Sequence, residues 1–586
     1  MAFRQGLFSA RVAVALVFAV GVPLLAGAQG RGPPQPPPYT PAPDARDLKA
    51  ALFNWTWYMG MLRGLEEHEL MASLEYQGTG TMQVNGQACQ LSKYRISNNY
   101  QLPGERVQYA CTLPNGRMAT GVEVVNGPYA WNEDVPGAEL VPGKGKATPM
   151  PNAVQERLIR FWASPQGAPK AALQGANQPD PSKLAEGKST IGATSVKWEG
   201  DKPVVTFPIP GVPGATATAT LDKDWRASSV VVKQGSATTE FTYSDYQDWN
   251  NPLNKVEVFY AGKMVEKKNG KVVRDLTTRE TETGSVYVVM PVPASVKAAI
   301  KAPASFPAVA TIPFETNVFG PPAAAEPAQA ANSNAPTPRT ADGHPDLTGT
   351  WSSSGLPSMN WRYGNRRCGP WQTSDCSPAW NQTVDYEFES PSRYGPNRPT
   401  YKPELWDKIQ QLDMWTNKED PVMTCQPLGI PREGPPRRIV QNPKDILFFY
   451  TEYADGGGGY AEFRDIPIDG RKHDPARMDQ TTYMGYTVGN WEGDTLVLDS
   501  RAFVDTTWLG RGGLIHSDKM RVVEKFTRKG NEMLYEVTVE DPEMLIEPWV
   551  MTPRTMRLTP NADPVLAERG NCEVYELEDI VSQIRH

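Results

Sequence analysis

From Tyr76 to about Glu282 the chain alternates apolar and polar residues with a period of two. TGTMQVNGQACQLSKYRIS, ERVQYACTL, MATGVEVVNG, KPVVTFPI, ATATATLD, ASSVVVKQG and TTEFTYSDY are successive runs of this kind. Asn-Gly, Pro-Gly and Pro-Asn-Gly turns separate the first of them. In an extended chain such alternation gives each strand one apolar face, and tight turns make consecutive strands antiparallel neighbours. Only two segments break the pattern. Arg46 to Leu74 places Leu52, Trp55, Met59 and Leu62 at helical spacing, interrupted by Gly60 and Gly64, and Asn152 to Trp162 is a second predicted helix.

The period-two signal returns in the second half as DILFFYTEY, AEFRDIPID, TYMGYTVGNWE, DTLVLDS, MRVVEKFTR, EMLYEVTVED and PWVMTPRTMRL. Short, regular strands with Asp-Gly, Glu-Gly-Asp and Lys-Gly-Asn turns predict an up-and-down antiparallel barrel or sandwich. Between the halves, residues 301–345 are dominated by alanine and proline (PPAAAEPAQAANSNAPTP) and have too few branched or aromatic residues for a core of their own. At 586 residues the chain exceeds what one hydrophobic core serves, so at least two domains are expected. The predicted division is a signal peptide at 1–28, a Pro-rich leader at 29–45, a first domain at 46–300, the linker at 301–345 and a second domain at 346–586.

The N-terminus predicts export. Arg4 and Arg11 precede the apolar run VAVALVFAVGVPLL, which ends at Ala26-Gly27-Ala28. A basic start, a short apolar core and an A-x-A site make a secretory signal peptide, cut before Gln29. The expected location is periplasmic or secreted. In an oxidising compartment the six cysteines are disulfide candidates. Cys89 and Cys111 stand alone in the first half and are predicted to pair. Cys368, Cys376, Cys425 and Cys572 allow three connectivities, of which Cys368–Cys376 with Cys425–Cys572 is favoured. Their spacing matches no zinc template, so neither a metal nor another cofactor is expected. A net charge of -7 without a basic run argues against a nucleic-acid partner.

One helix over a long antiparallel meander ending in FTYSDYQDW and then VYVVMPVPASV resembles the LolA-like periplasmic half-barrels. That resemblance implies a curved sheet around a helix with an acyl chain held in the concavity. Gly349-Thr350-Trp351 on the first strand of the second domain resembles the lipocalin start, in which the indole plugs one end of a barrel. The fold class is therefore mainly β, a LolA-like half-barrel with helices followed by a lipocalin-like barrel or sandwich. The second half also resembles a group of exported proteins common in acidobacteria and related soil bacteria. Its marks here are Cys425 to Arg432 (C-x-P-x-G-x-P-R), Asp469-Gly470-Arg471, GYTVGNWEGDTL, His516-Ser517-Asp518, Glu524 to Arg528 and Asp541-Pro542. This likeness implies no particular activity. Members of that group place a histidine after the terminal cysteine, where this chain reads Asn571-Cys572-Glu573.

Several motifs invite a catalytic reading. Gly485-Tyr486-Thr487-Val488-Gly489 imitates a nucleophile elbow, but the helix such an elbow needs is replaced by a Glu-Gly-Asp turn and another strand. Glu492, Asp494, Asp499 and Asp505 read as turn and surface carboxylates. His516 reads first as a hydrogen-bonded loop histidine, and the alternative is a metal or acid–base cluster with His473, His344 and Glu524. No catalytic residue is assigned; Glu524, His516 and Asp494 are the candidates. Glu524 and Arg528 share one face of a strand and are predicted to point inward as a pair. With Trp491, Glu492, Trp508 and His516 they make the predicted ligand-binding set. The tetraglycine Gly456 to Gly459 lacks a phosphate-loop lysine and reads as a hairpin tip. The leading expectation is an exported protein that binds an apolar or amphipathic small molecule or lipid. The alternatives are an exported hydrolase or lyase working from the second domain, and an envelope scaffold with an envelope partner.

Overall fold

The computed structural model turns the period-two runs of the first half into one antiparallel sheet. Its strands are β1 (Ser73–Val84), β2 (Gln87–Asn99), β3 (Gly104–Thr112), β4 (Met118–Asn126), β5 (Tyr129–Glu133), β6 (Ala147–Pro149) and β7 (Thr190–Ile191). The remainder are β8 (Thr194–Glu199), β9 (Lys202–Pro208), β10 (Ala215–Leu221), β11 (Ala227–Gln234), β12 (Ala237–Asp248), β13 (Phe259–Lys268) and β14 (Lys271–Gly284). The order across the sheet is β6-β5-β4-β3-β2-β1-β14-β13-β12-β11-β10-β9-β8-β7. The structure describes residues 39–61, 73–100, 103–178, 181–249, 259–284, 287–303, 335–353, 399–414, 420–450, 452–453, 459–460, 462–510, 513–551 and 553–559. The signal segment, the centre of the linker, Cys368, Cys376 and Cys572 lie outside the described residues.

Both edges are short, three residues in β6 and two in β7, which leaves little backbone for another chain to pair with. The centre is the β1–β14 pairing, where Thr79 faces Thr277. Gly80 is required there. Its φ is +135°, and a Cβ on it would fall 2.0 Å from the Asp275 carbonyl oxygen.

One face of the sheet packs on three helices, α1 (Leu48–Tyr58), α2 (Val154–Ala163) and α3 (Gly167–Gly175). Asp47 caps α1 by accepting from the Ala50 amide at 2.8 Å. The helix is apolar on nearly every side and is correspondingly buried. It is shorter than the 46–74 span read from spacing. Gly60 takes a φ of 85° just past its end, and Leu74 already pairs with Thr283 in the sheet. Helix α2 begins after a 3-10 turn at Pro151–Ala153, close to where spacing placed it. Helix α3 was not expected, because Gly167, Pro169 and Gly175 punctuate a segment of only nine residues.

The opposite face of β2, β3 and β4 carries the extended segment 287–292, YVVMPV, from the run read as a continuation of the meander. It joins no ladder. Instead, side chains from three adjacent strands hold its backbone. Asn99 donates to the Val288 carbonyl (2.9 Å), Arg106 to Val289 (3.0 Å) and Asn126 to Met290 (2.7 Å). Val288 and Met290 join Val122, Val124 and Trp131 in a small outer core, completed by Val296 of α4 (Ala294–Ala299).

The second half forms another antiparallel sheet. Its members are β15 (Gly349–Ser353), β16 (Arg438–Gln441), β17 (Asp445–Phe449), β20 (Phe463–Pro467), β21 (Tyr486–Glu492), β22 (Thr495–Arg501), β23 (Arg521–Lys529), β24 (Glu532–Glu540), β25 (Trp549–Val550) and β26 (Arg554–Leu558). A separate ladder pairs β18 (Glu452–Tyr453) with β19 (Gly459–Tyr460). The main order is β20-β17-β16-β15-β26-β24-β23-β22-β21, with β25 added to β24. Its two ends approach each other, since a Cβ on Gly489 of β21 would fall 2.8 Å from the Ile468 side chain and 3.3 Å from the Pro467 carbonyl. The result is a nearly closed nine-strand barrel. Trp351 in β15 is buried, donates its indole N–H to Leu347 O at 2.9 Å, and is covered by the Arg528 guanidinium 5.1 Å from the ring centre. Helix α5 (Trp406–Met414) lies in the loop-rich stretch and reaches the outer face of the first sheet.

Candidate functional site

Alternation along β23 turns Val522, Glu524, Phe526 and Arg528 inward, and all four are buried. The expected Glu524–Arg528 pair is not formed. Glu524 meets Arg464 from β20, with Oε2 accepting from Nη1 at 2.6 Å, and its Oε1 accepts from the Tyr535 hydroxyl at 3.0 Å. Arg464 also donates to the hydroxyls of Tyr450, Thr487 and Ser500 at 3.0, 2.8 and 2.9 Å. Two charges inside a barrel are tolerated only when paired and hydrogen-bonded, and this group satisfies both conditions. Arg528 is engaged elsewhere, donating to the carbonyls of Gly530 and Asp346. The two residues share a face but sit four positions apart along it, and each finds a nearer partner on another element.

The other candidates are dispersed. Buried His516 shares a hydrogen bond with the Thr507 hydroxyl (2.7 Å) and one with the Ser517 carbonyl (3.0 Å), and burial pushes its imidazole pKa down. His344 stacks on Trp491 at 4.6 Å, and His473 meets Tyr486 edge-on at 5.1 Å. The histidine and Glu524 cluster considered from sequence is therefore not assembled. No group of three potential metal ligands occurs among the described residues. Asp494 is exposed and accepts both Nη donors of Arg339, while Glu492 is exposed at the turn. Trp508 is buried beside Ile515 through an isolated bridge. Thr487 is the hydroxyl on Arg464 already described. The motif residues are mostly tied to one another or to nearby loops. Arg432 pairs with buried Asp420, Arg471 with Asp469, and Ser517 with Asp541.

The concavity of the first sheet is occupied by its helices and by charge. Arg160 of α2 donates to Glu105 (2.6 Å) and Glu123 (3.1 Å), and Arg274 donates to Glu266 (2.5 Å). Burial raises both Glu105 and Glu123. It wins at Glu105, whereas Arg160, Arg274 and Arg157 overcome it at Glu123 and hold that carboxyl at about 2. A chamber of about 30 Å³ beside this cluster is the space of a water molecule, not of an acyl chain.

A larger space lies over the outer face of β1, β2 and β3, closed from the other side by α5 and the residues just before it. The cleft encloses about 320 Å³. Val135, Pro136, Val288 and Val289 form apolar walls on the first sheet's side, and Pro403 and Trp406 face them. Arg95 of β2 ties the sides together, donating to Asp407 at 2.8 Å and Gln410 at 3.2 Å, with Nε 2.7 Å from Glu75. Gln410 in turn donates to Glu75 at 3.0 Å, and Lys144 to Glu404 at 2.8 Å. Burial alone lowers the Arg95 pKa, but Glu75 and Asp407 outweigh it and raise the value. Arg106 differs. Its guanidinium lies 4.4 Å over the Trp406 ring, the Glu133 carboxylate is 3.6 Å away, and burial pushes its pKa down. Its Nη2 has no hydrogen-bond partner among the described residues.

No protein-family model matches the chain, and no curated protein matches it. Among solved structures, the chain is similar to a LolA superfamily protein from Nitrosomonas europaea, with 10% identity and a TM-score of 0.21. The match covers 41% of this chain and 94% of that one. At that TM-score the likeness carries no argument, and the architecture rests on this chain's own strands and register.

None of the cleft residues stood out in the sequence. They come from β1, β2, β3, the loop between β5 and β6, the segment after β14, and α5 with the residues just before it, and each reads locally as a polar position on a strand's outer face or as a loop residue. A weak signal existed: Arg95, Ser97 and Asn99, and likewise Arg106 and Gln108, put long polar side chains on a face that a solvated sheet could equally carry. Cys89 and Cys111 form a disulfide with Cα atoms 5.5 Å apart, and Cys425 is also disulfide-bonded. No helix among the described residues is long and apolar enough to cross a membrane.

Proposed function

We propose that this is an exported protein that binds a small amphipathic molecule in the cleft between its two β domains. The observation that carries the reading is the cleft itself, whose 320 Å³ falls within the usual ~300–1,000 Å³ of small-molecule sites. Junctions between domains are a preferred place for such sites, as are apolar walls with a few converging polar groups. Among the cleft's lining residues the three carboxylates of Glu75, Glu404 and Asp407 are matched in number by the cations of Arg95, Lys144 and Arg106. The ligand therefore meets equal numbers of positive and negative side chains on the lining. The spare donor at Arg106 offers a hydrogen bond to a carbonyl, ester or hydroxyl oxygen, and the walls take the apolar body. Export is supported by the signal-like N-terminus and by a disulfide, which persists in oxidising compartments. The hydrolase or lyase reading has less support, because Glu524, His516 and Asp494 share no partner.

The test is native mass spectrometry of the protein purified from its own envelope, beside a Val135→Trp variant. Val135 is 46% exposed at the cleft, so an indole there fills the space without disturbing a core. A small molecule held by the natural chain and lost from Val135→Trp is the expected result. A chain that carries nothing, or a molecule retained equally by both proteins, would sink the reading.

A further inference from the structure

Arg106 of β3 lines the cleft and is 3% exposed, so its guanidinium has little water to turn to. Its Nη1 donates to the Val289 carbonyl at 3.0 Å, which leaves Nη2 as an open donor among the described residues. The buried oxygens around it are already engaged. Glu133, 3.6 Å from Nε, accepts from the Trp131 indole at 2.8 Å and from the Gly137 amide at 2.9 Å. Glu75 accepts from the Ser97 hydroxyl at 2.7 Å and from the Gln410 amide at 3.0 Å, and the Gln410 oxygen accepts from Arg95 at 3.2 Å. Glu404 and Asp407 keep acceptors to spare, but at 47% and 79% exposed they stand in water at the rim. Charge is equally constrained. The lining holds three carboxylates and three cations, and Glu133, outside the lining, adds a fourth carboxylate beside Arg106.

We propose, resting on the cleft as the binding site, that Arg106 selects the head group and that the ligand is a neutral single-chain molecule carrying an ester or ketone carbonyl. A buried donor without an acceptor is costly, so the group that enters beside Arg106 must accept. A carbonyl oxygen does so and brings no proton of its own. An alcohol or a primary amide brings protons to a place whose buried oxygens already hold donors, and leaves one unpaired. A carboxylate or phosphate would enter where carboxylates outnumber cations four to three, since Arg106 already faces Glu133. An ammonium would stand against the Arg106 guanidinium. The apolar part of the ligand lies along Val135, Pro136, Val288 and Val289. A volume of 320 Å³ is at the lower end for small-molecule sites, which suits one short chain rather than the paired chains of a bilayer lipid.

The test is calorimetric titration of the natural chain with nonan-2-one, nonan-2-ol and nonanoate, probes of matched chain that differ at the head. Nonan-2-one should bind about tenfold tighter than nonan-2-ol, as expected for one hydrogen bond to a charged donor, and nonanoate should bind more weakly still. Val135→Trp, which fills the cleft, should lose the ketone. In Arg106→Met, which removes the open donor, the ketone's advantage over the alcohol should disappear. The ranking on the natural chain decides even if Arg106→Met fails to fold. Nonanoate binding as tightly as the ketone would overturn the head-group assignment while leaving the cleft as the site, and so would equal binding of ketone and alcohol. Ketone binding that survives Val135→Trp, or no binding of the ketone at all, would overturn it as well. Native mass spectrometry of the protein from its envelope then decides whether the cleft holds anything.

Discussion

Glu524 and Arg528 lie four residues apart on the same inward face of β23, yet they share no partner. The carboxylate of Glu524 is held by Arg464 and Tyr535, whereas Arg528 holds the carbonyls of Asp346 and Gly530. Spacing identified the face correctly. The partner came from another strand, 60 residues away in sequence.

That arrangement predicts a specific pattern of energetic coupling. Glu524→Ala strands the Arg464 charge inside the barrel and should cost roughly 3–5 kcal/mol. Combining Glu524→Gln with Arg464→Met should recover most of the loss. The Glu524 and Arg528 changes should add to within about 0.5 kcal/mol, because they share no network. Urea unfolding of the single and double variants measures both couplings. A large 524–528 coupling with none between 464 and 524 would contradict the structure.

Lys170 should make the protein more stable in alkali than at neutral pH. Its folded pKa of about 7 lies below the ordinary 10.5, so between those values the unfolded chain holds a proton that the folded chain lacks. Stability then rises with pH across that window and falls as pH drops towards 7. Lys170→Met removes the penalty and should stabilise the fold by roughly 2–4 kcal/mol at pH 6, with a smaller gain at pH 9. Equal gains at both pH values would exclude titration of Lys170 as the cause.

His516 acts in the same direction at lower pH. Burial depresses its pKa below the ordinary 6.5, with Asp541 and Asp505 only partly opposing the effect. The unfolded imidazole thus takes up a proton before the folded one does. Its contribution is complete above 6.5 and is lost as pH falls towards the folded value. Comparing the pH dependence of melting for the natural chain and His516→Gln should show a shallower acid slope in the variant.

The Cys89–Cys111 bridge closes a loop with a sequence separation of 22. On the chain-entropy account, opening it by Cys89→Ala/Cys111→Ala should cost about 3 kcal/mol. Non-reducing peptide mapping of the natural chain should recover the two residues linked. Free thiols at both positions would overturn the pairing.

Strands were legible because a half-buried strand writes its burial directly into alternate residues, as ATATATLD does in β10. Helix α3 was not, since GAPKAALQG has the glycine and proline of a loop and becomes helical only against the sheet. The polar pairs were also hidden. Nothing local tells Arg160 that its carboxylates are Glu105 and Glu123, or tells Arg95 that it will meet Asp407 312 residues later. Sequence reasoning located the inward faces of the second sheet and missed the cleft, which exists only where outer faces of one sheet meet loops and a helix from beyond the linker.

The pairing of β1 with β14 sets the order in which the first sheet is built. Gln77 and Glu280 are neighbours across it but lie 203 residues apart in the chain. In chain order, β2 to β6 come to lie on one flank of β1, while β7 to β13 form a second wing linked to the first through the helices α1, α2 and α3. Only β14, ending at Gly284, joins the two wings by strand pairing. The sheet is therefore finished at its middle rather than at a rim, and the slowest step in its assembly should be the joining of two preformed halves along that seam.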